Sequence, residues 1–204
     1  MIKSSKLFLI RHSPVKQVKG YFPIHDPNAI VRDSQIKKLA KNIPDNSVWY
    51  VSPLRRAIQT AKALSKYTKY SKMIIENQLV EQNFGDWSGK KVSQIWQILK
   101  HNQNKHNFSF ISPELSPPNG ESFKEQSKRV VTWLENLDLL EGNNIVIISH
   151  AGTIRSIISH ALQIKLDYAL GIEINYETLS ILEIISNKDN KYNGGRFRLI
   201  SLNK

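Results

Sequence analysis

The sequence contains no cysteine. Disulfide bonds, thiolate nucleophiles and cysteine-ligated zinc are therefore all excluded, and any catalysis must use other side chains. Long apolar runs are also lacking, since the longest one near the start, residues 7–10, ends at Arg11. That run is far shorter than a signal-peptide core of about 7–15 residues or a membrane span of about 18 residues. We therefore expect a cytoplasmic protein with no membrane partner.

Acidic residues are few, with 17 Asp and Glu against 29 Lys and Arg, which gives a formal net charge of +12. A charge of this sign favours an anionic partner. The lysines are spread along the chain rather than grouped in a basic run, the more diagnostic pattern for nucleic acid, so a surface that serves small anions is equally allowed and nucleic acid is not the expected partner. The length of 204 residues, of which 40% are hydrophobic, fits one folded domain over residues 1–204.

The order of the predicted elements indicates an α/β fold. Helical periodicity is seen over residues 53–67 and 122–140, and Ser122 and Glu125 have the spacing of a capping box. Short β-branched runs, typical of buried parallel strands, occupy residues 6–10, 47–51, 73–76 and 145–149. The alternation predicts a three-layer α/β/α sandwich around a mostly parallel sheet.

Two later segments add detail to this prediction. Residues 179–185 and 196–201 are β-rich and flank a polar stretch that ends in Gly194-Gly195, which predicts a hairpin and thus one antiparallel strand near the C-terminus. Residues 91–117 combine a helix-like segment with a polar loop. We interpret them as a small cap-like insertion within the same domain.

Three predicted strands are each followed at once by basic or imidazole side chains. In an open α/β sheet, ligands bind beyond the carboxyl ends of the strands, so these segments are expected to converge into one cationic pocket. Arginine forks match phosphate geometry, and helix N-termini after the second and third segments would also favour an anion. The segments are Arg11-His12-Ser13, Ser52-Pro53-Leu54-Arg55-Arg56 and Ser149-His150-Ala151-Gly152.

This arrangement predicts phosphoryl chemistry. Arg11, together with either Arg56 or Arg55, would clamp a phosphoryl group between His12 and His150. Ser52 is predicted to cap the following helix, with a proline at its first position. Taken singly, each segment is more often a structural turn or cap, so the prediction depends on their occurring together.

In order along residues 6–160, the chain resembles the histidine phosphatase superfamily, also called phosphoglycerate mutase-like. The resemblance rests on five motifs: Arg11-His12-Ser13, the run from Ser52 to Ala61, Leu79-Val80-Glu81 with Phe84 to Gly89, Asn119-Gly120-Glu121-Ser122, and Ser149 to Arg155. It implies the phosphoglycerate mutase-like fold.

The resemblance also implies roles for the residues that match these motifs. His12 would be the nucleophile that takes the phosphoryl group, with Arg11, Arg56 and His150 binding its oxygens, and Ser13 and Ala151 would contact the substrate. Glu81 would donate a proton to the leaving oxygen and then activate water, a division of labour that covalent catalysis requires. The nearby Asp86 is its local rival. No metal or cofactor is implied, because the arginines and His150 supply the positive charge.

Departures from the family pattern narrow the prediction. Ser13 stands where the family most often has Gly, and Pro14 and Val18 replace the Glu and Asn usual in the mutases. The chain therefore looks like a phosphatase of the α-ribazole-phosphatase-like branch, acting on a small phosphorylated metabolite as a monomer or homodimer. A phosphoglycerate mutase and a non-catalytic phospho-ligand or nucleic-acid-binding protein are the alternatives.

Substrate selection is expected to lie in the segments that approach the pocket from outside the phosphate clamp. These are residues 15–28 and the insertion at 91–117. Five aromatic side chains in or near these segments could stack on a base or sugar, although such residues are more often part of a core. The candidates are Tyr21, Phe22, Trp87, Trp96 and Phe108.

Overall fold

The structure is a computed structural model of the chain, and it describes residues 4–99, 106–137, 142–185 and 195–204. Six strands form one sheet: β1 (Ser4–Arg11), β2 (Ser47–Val51), β3 (Tyr70–Ile75), β4 (Asn144–Ser149), β5 (Leu179–Ile185) and β6 (Phe197–Ser201). The helices are α1 (Asp33–Ala40), α2 (Arg55–Leu64), α3 (Val92–Ile98), α4 (Phe123–Asn136), α5 (Ala151–Leu162) and α6 (Leu166–Ala169), with 3-10 turns at Asn77–Leu79 and Gly85–Trp87.

The sheet has the strand order β3-β2-β4-β1-β5-β6. The first four strands of that order pair in parallel, whereas β5 pairs antiparallel with both β1 and β6. The predicted mostly parallel sheet with one reversed strand near the C-terminus is therefore confirmed, and the reversed strand is β5. The turn of the predicted hairpin, residues 186–194, lies outside the described residues.

Alternate side chains along the central strands divide between two cores, which makes the three layers. On one face, Phe8 and Ile10 of β1 pack with residues of α1 and α2. On the other face, Leu7 and Leu9 pack with residues of α4 and α5. Because successive residues of a strand point to opposite faces, a continuous apolar run is what a strand covered on both sides requires.

The two predicted helix starts have different outcomes. The capping box is present, since the Ser122 hydroxyl accepts from the backbone N–H of Glu125 and the Glu125 carboxylate accepts from that of Ser122. The predicted cap by Ser52 is wrong, because α2 begins only at Arg55 after an extended Leu54. The Ser52 hydroxyl lies instead 2.7 Å from Nε2 of His150.

A third, smaller core lies beneath the segment 91–117. Its buried members include Val92 and Ile95 of α3, together with Ile111. Phe22 and Trp87, two of the aromatic residues proposed for substrate stacking, are buried in the same cluster. They therefore serve as core residues, as aromatic side chains more often do.

Candidate active site

The three motif segments meet at one edge of the sheet, because the strands that precede them are neighbours in the order β2-β4-β1. The backbone N–H of His12 donates to the Ser149 carbonyl, and that of Ser52 donates to the Ile148 carbonyl, both at 3.0 Å. These bonds continue the parallel pairing one residue past the strand ends. The rings of His12 and His150 are consequently 5.0 Å apart between centroids.

Hydrogen bonds define which ring nitrogen of His12 can react. Nδ1 lies 2.7 Å from the carbonyl oxygen of Ser13, an atom that can only accept, so Nδ1 carries the proton and donates it. Nε2 is therefore the unprotonated nitrogen, and it accepts from Nε of Arg56 at 3.1 Å. The side chain is only 3% exposed. His12 thus directs a lone pair at the arginine that would bind a phosphoryl group.

Both histidines are neutral in the folded protein. Burial, reinforced by the charge of Arg56, lowers the pKa of His12 to about 3. The same two causes hold the pKa of His150 well below its usual value. A neutral imidazole is the form that can act as a nucleophile, and His12 is in that form at any pH well above 3.

The two arginines of the pocket are held from different sides. Arg56 is 6% exposed and donates through Nη1 to the carbonyl of His25. Arg11 donates through Nη1 to the carbonyl of Ile174. Burial lowers the pKa of both arginines, and the nearby Glu81 carboxylate offsets part of each shift. Arginine remains charged at neutral pH even so, which gives the pocket two fixed positive charges.

Arg55, the sequence alternative to Arg56, does not enter the pocket. Its backbone N–H and its Nε both donate to the carboxylate of Asp26, and its side chain is 59% exposed. Successive residues at the start of a helix point in directions about 100° apart, so one of two adjacent arginines faces inward and the other outward. Arg55 therefore anchors the loop that carries Asp26.

Glu81 lies beside the pocket at the mouth of a cavity. Its Oε1 accepts from the backbone N–H of Gln82 and from Nε2 of Gln126, and its Oε2 accepts from the backbone N–H of Gly152. The rival carboxylate, Asp86, is exposed and accepts from the side-chain amide of Asn119. Of the two acids, only Glu81 lines the cavity together with Arg56.

The cavity next to Glu81 is small, with a volume of about 20 Å³. Pro23, Ile24 and His25 line it, so the segment 15–28 does reach the substrate side of the pocket. Within the described parts of the chain, no residue of 91–117 lines it. The other lining residues are Arg56, Glu81, Gln82, Phe84 and Ser88.

Several buried polar atoms of these residues have no hydrogen-bond partner within the described parts of the chain. They include Nε of Arg11, Oγ of Ser13 and Nδ1 of His150. Buried polar groups without partners destabilise a fold, so native proteins rarely keep them without a reason. All three belong to residues that the sequence assigned to phosphate binding, and an anion that accepts hydrogen bonds would satisfy such donors.

Tyr176 is a pocket residue that the sequence reasoning missed. Its ring covers the Arg11 guanidinium, with 3.5 Å between Cζ and the ring centroid, and it meets the His12 ring edge-on at 5.4 Å. The backbone also ties the two segments together, since the N–H of Glu177 donates to the Arg11 carbonyl. Tyr176 thus fixes Arg11 by a cation–π contact and shields one side of His12.

Two further properties bear on the class of protein. Among the described residues, no helix is long and apolar enough to cross a membrane. Within the same residues, no group of three or more His, Asp or Glu side chains is placed to hold a metal ion.

The neutral histidines make stability depend on pH. An unfolded histidine titrates near pH 6.5, whereas folded His12 titrates only at about 3, so acid protonates the unfolded chain first. The free energy of unfolding should therefore fall as pH drops from about 6.5 towards 4, by about 1.4 kcal/mol per pH unit for each such histidine.

Chemical unfolding at pH 7, 6, 5 and 4.5 measures this slope. Carboxylate titrations contribute equally to the wild type and to His12→Ala, so the difference between their slopes isolates His12. We expect the slope of the unfolding free energy against pH to be smaller in the variant by about 1.4 kcal/mol per pH unit. Identical slopes would show that folded His12 is not held neutral.

The fold and the site together define a class of proteins, those with buried, neutral histidines at the strand ends of an α/β sheet and arginines around them. A family model described as the histidine phosphatase superfamily (branch 1) matches residues 33–193. The chain belongs to the histidine phosphatase superfamily, and this membership places it among the phosphatases. The motif with His12 lies ahead of the matched residues.

Individual relatives differ in their named activities. Phosphoserine phosphatase 1 of Hydrogenobacter thermophilus is 28% identical over 167 residues, which cover 79% of this chain and 78% of the relative. The 2,3-bisphosphoglycerate-dependent phosphoglycerate mutase of Cytophaga hutchinsonii is 29% identical over 150 residues, which cover 67% and 68%. The solved structure of the α-ribazole phosphatase from Shigella flexneri superposes with a TM-score of 0.74 at 23% identity, covering 98% and 96%.

Proposed function

We propose that the chain is a metal-independent phosphomonoesterase that hydrolyses a small phosphorylated metabolite through a phosphohistidine intermediate on His12. The observation that carries the proposal is the fixed tautomer of His12, whose Nε2 lone pair lies 3.1 Å from Nε of Arg56. A phosphoryl group bound by Arg56 would be placed next to that lone pair. The nucleophile and the charge that binds its target are thus already aligned.

In the first step, Nε2 of His12 attacks phosphorus and the bond from phosphorus to the ester oxygen breaks. Glu81 gives its proton to the departing oxygen, so a neutral alcohol leaves. Arg11, Arg56 and His150 would bind the three phosphoryl oxygens, with Ser13 and Ala151 contributing at the strand ends. These positive charges and hydrogen-bond donors stabilise the transition state without a metal.

In the second step, water attacks the phosphohistidine while ionised Glu81 takes its proton. The nitrogen–phosphorus bond breaks, phosphate leaves and neutral His12 is regenerated. One carboxyl group thus acts as acid and then as base. Its half-buried position at the cavity mouth, beside Arg56, suits both steps because it can reach the substrate oxygen and then the water.

The substrate would be small, and its alcohol part would lie against the residues that line the cavity beside Glu81. The fold-level likeness to an α-ribazole phosphatase and the relation to a phosphoserine phosphatase both support a phosphatase of small metabolites. In the proposed single domain, the segment 91–117, of which residues 100–105 lie outside the described residues, would be a small cap-like insertion outside the phosphate clamp.

The proposal is tested with protein treated with EDTA and assayed on 4-nitrophenyl phosphate. We expect release of nitrophenol and phosphate at an unchanged rate, together with an acid-labile, alkali-stable phosphoryl label on the protein after rapid quenching. Loss of activity in EDTA that added divalent metal restores would refute metal independence. A turnover that leaves no phosphohistidine under any quench would refute the covalent route.

A mutase is the second candidate, favoured by the relation to the Cytophaga hutchinsonii enzyme. Pro14 and Val18 stand against it, since they replace the residues usual in mutases. Incubation with 3-phosphoglycerate and 2,3-bisphosphoglycerate separates the two functions. A phosphatase releases free phosphate, whereas a mutase returns the phosphoryl group on the isomeric glycerate.

A further inference from the structure

In the proposed mechanism, Glu81 gives a proton in the first step and takes one in the second. Both transfers must use the same carboxyl oxygen, because only an oxygen aimed at the cavity can reach the substrate and then the water. A protonated carboxyl group that rotates freely would present its unprotonated oxygen to the leaving group in half of its encounters. Some residue should therefore fix its orientation, and this requirement rests on the proposed function.

Gln126 of α4 is placed to do this. Its side chain is 0% exposed, and its Nε2 lies 3.0 Å from Oε1 of Glu81. Gln126 does not line the cavity, whereas Glu81 does. The amide therefore contacts the carboxyl group from behind, on the side away from the substrate.

The other neighbours of this amide have partners of their own. The carbonyl of Val80, 3.3 Å from Nε2, also accepts from Nη2 of Arg129 at 2.9 Å and from Oγ1 of Thr153 at 3.1 Å. Oγ1 of Thr153 is 3.4 Å from Nε2, at the limit of a hydrogen bond. Removing the amide therefore deprives Glu81 of a partner and leaves the rest of the network satisfied.

The two carboxyl oxygens of Glu81 are not equivalent as a result. Oε1 accepts two hydrogen bonds, from Gln126 and from the backbone of Gln82 at 3.1 Å, while Oε2 accepts one long bond from Gly152 at 3.3 Å. An oxygen whose lone pairs are both engaged by donors is the poorer site for a proton. The proton of the neutral acid consequently resides on Oε2.

We infer that Gln126 is a positioning residue for proton transfer: its side-chain amide holds Oε1 of Glu81, so that Oε2 delivers the proton to the leaving group and recovers one from water. An amide suits this task because it does not titrate. It can donate to Oε1 both when Glu81 is an acid and when it is a carboxylate, so the orientation persists through the catalytic cycle.

Leaving-group dependence tests the inference. Phenyl phosphate and 2,4-dinitrophenyl phosphate have similar shapes, but phenol, with a pKa of about 10 like tyrosine, needs a proton to depart and dinitrophenolate does not. For Gln126→Met, which keeps the volume without the amide, we expect kcat/KM to fall about 10- to 100-fold on phenyl phosphate and less than about 3-fold on the dinitrophenyl ester. This ratio reports only steps up to leaving-group departure.

Val130→Ala is the matched structural control. Val130 is a fully buried core residue of the same helix. Its truncation should lower the melting temperature by more than Gln126→Met does, yet leave the ratio of the two esters unchanged. Equal slowing of both esters by Gln126→Met, or by Gln126→Leu as a second variant, would overturn the inference. So would the absence of a cooperative melting transition in both variants, since it would make Gln126 a folding residue.

Glu81→Gln separates this inference from the function on which it rests. This variant should also slow phenyl phosphate more than the dinitrophenyl ester, and the difference between the two esters should be larger than for Gln126→Met. If Glu81→Gln slows both esters equally, the donor role itself is wrong. If Gln126→Met slows both esters equally but Glu81→Gln slows phenyl phosphate more, Glu81 is the donor but is oriented by other contacts.

Discussion

Replacing His12 with alanine should reduce hydrolysis of 4-nitrophenyl phosphate by about 10⁴-fold or more, since removal of a covalent nucleophile costs an enzyme at least this much. The neighbouring His150 is also buried and neutral, but its Nε2 faces the Ser52 hydroxyl at 2.7 Å, whereas Nε2 of His12 faces Nε of Arg56, the arginine proposed to bind the phosphoryl group. The variant should also form no phosphohistidine, which a quench and ³¹P NMR would show.

Measuring the affinity for inorganic phosphate distinguishes loss of the nucleophile from loss of the phosphate-binding pocket. Arg11 keeps its hydrogen bond to the Ile174 carbonyl and Arg56 keeps its hydrogen bond to the His25 carbonyl without His12, so His12→Ala should still bind inorganic phosphate within about tenfold of the wild type. His160→Ala is the matched control, because His160 pairs with Glu135 away from the pocket, and its activity should not change. Wild-type turnover by His12→Ala would place the nucleophile elsewhere.

The residues at strand ends could be predicted because parallel strands place their carboxyl ends at one edge of the sheet. His12 and His150 each follow a strand whose apolar run is visible in the sequence, and β1 and β4 are direct neighbours. Each of these residues is local to a recognisable element. That is why the sequence could assign them to one pocket without any knowledge of distances.

Tyr176 could not be predicted as a pocket residue in the same way, because it precedes a strand rather than following one. Strand β5 runs antiparallel to β1, with Leu179 opposite Ile10, so the start of β5 lies at the edge where β1 ends. The residues just before Leu179 are thereby brought onto Arg11. The sequence did predict a reversed strand near the C-terminus. The residues that precede a reversed strand lie at the same edge of the sheet as the ends of the parallel strands, so that prediction could have indicated a pocket residue just before β5.

Ser52 and Gln126 show a different limit. The Ser52 hydroxyl could cap a helix or bind a histidine, and only the contact with His150, 98 positions away, decides between the two. Gln126 has no feature in the sequence that separates it from other glutamines on helices. Its role depends on a buried contact with Glu81 that the packing of α4 creates. Long-range contacts of single polar side chains leave no periodic pattern to read.

Gly152→Ala should lose activity without losing stability. A methyl group at this position would lie 2.3 Å from Oε1 of Glu81 and 2.6 Å from Oε1 of Gln126, closer than any real contact. Both atoms are the ends of flexible side chains, so they can move aside without distorting the backbone. In addition, alanine is favoured over glycine inside a helix by about 1 kcal/mol, and Gly152 is the second residue of α5.

Gly152→Ala should therefore change stability little and activity strongly. The free energy of unfolding should change by less than about 1 kcal/mol, because the gain in helix propensity offsets the local displacement. The displaced Glu81, however, can no longer meet the leaving oxygen, so kcat/KM on phenyl phosphate should fall about 100-fold or more. Urea unfolding and steady-state kinetics on the same preparation measure both. A stable variant with wild-type activity would mean that the position of Glu81 is not what limits proton transfer.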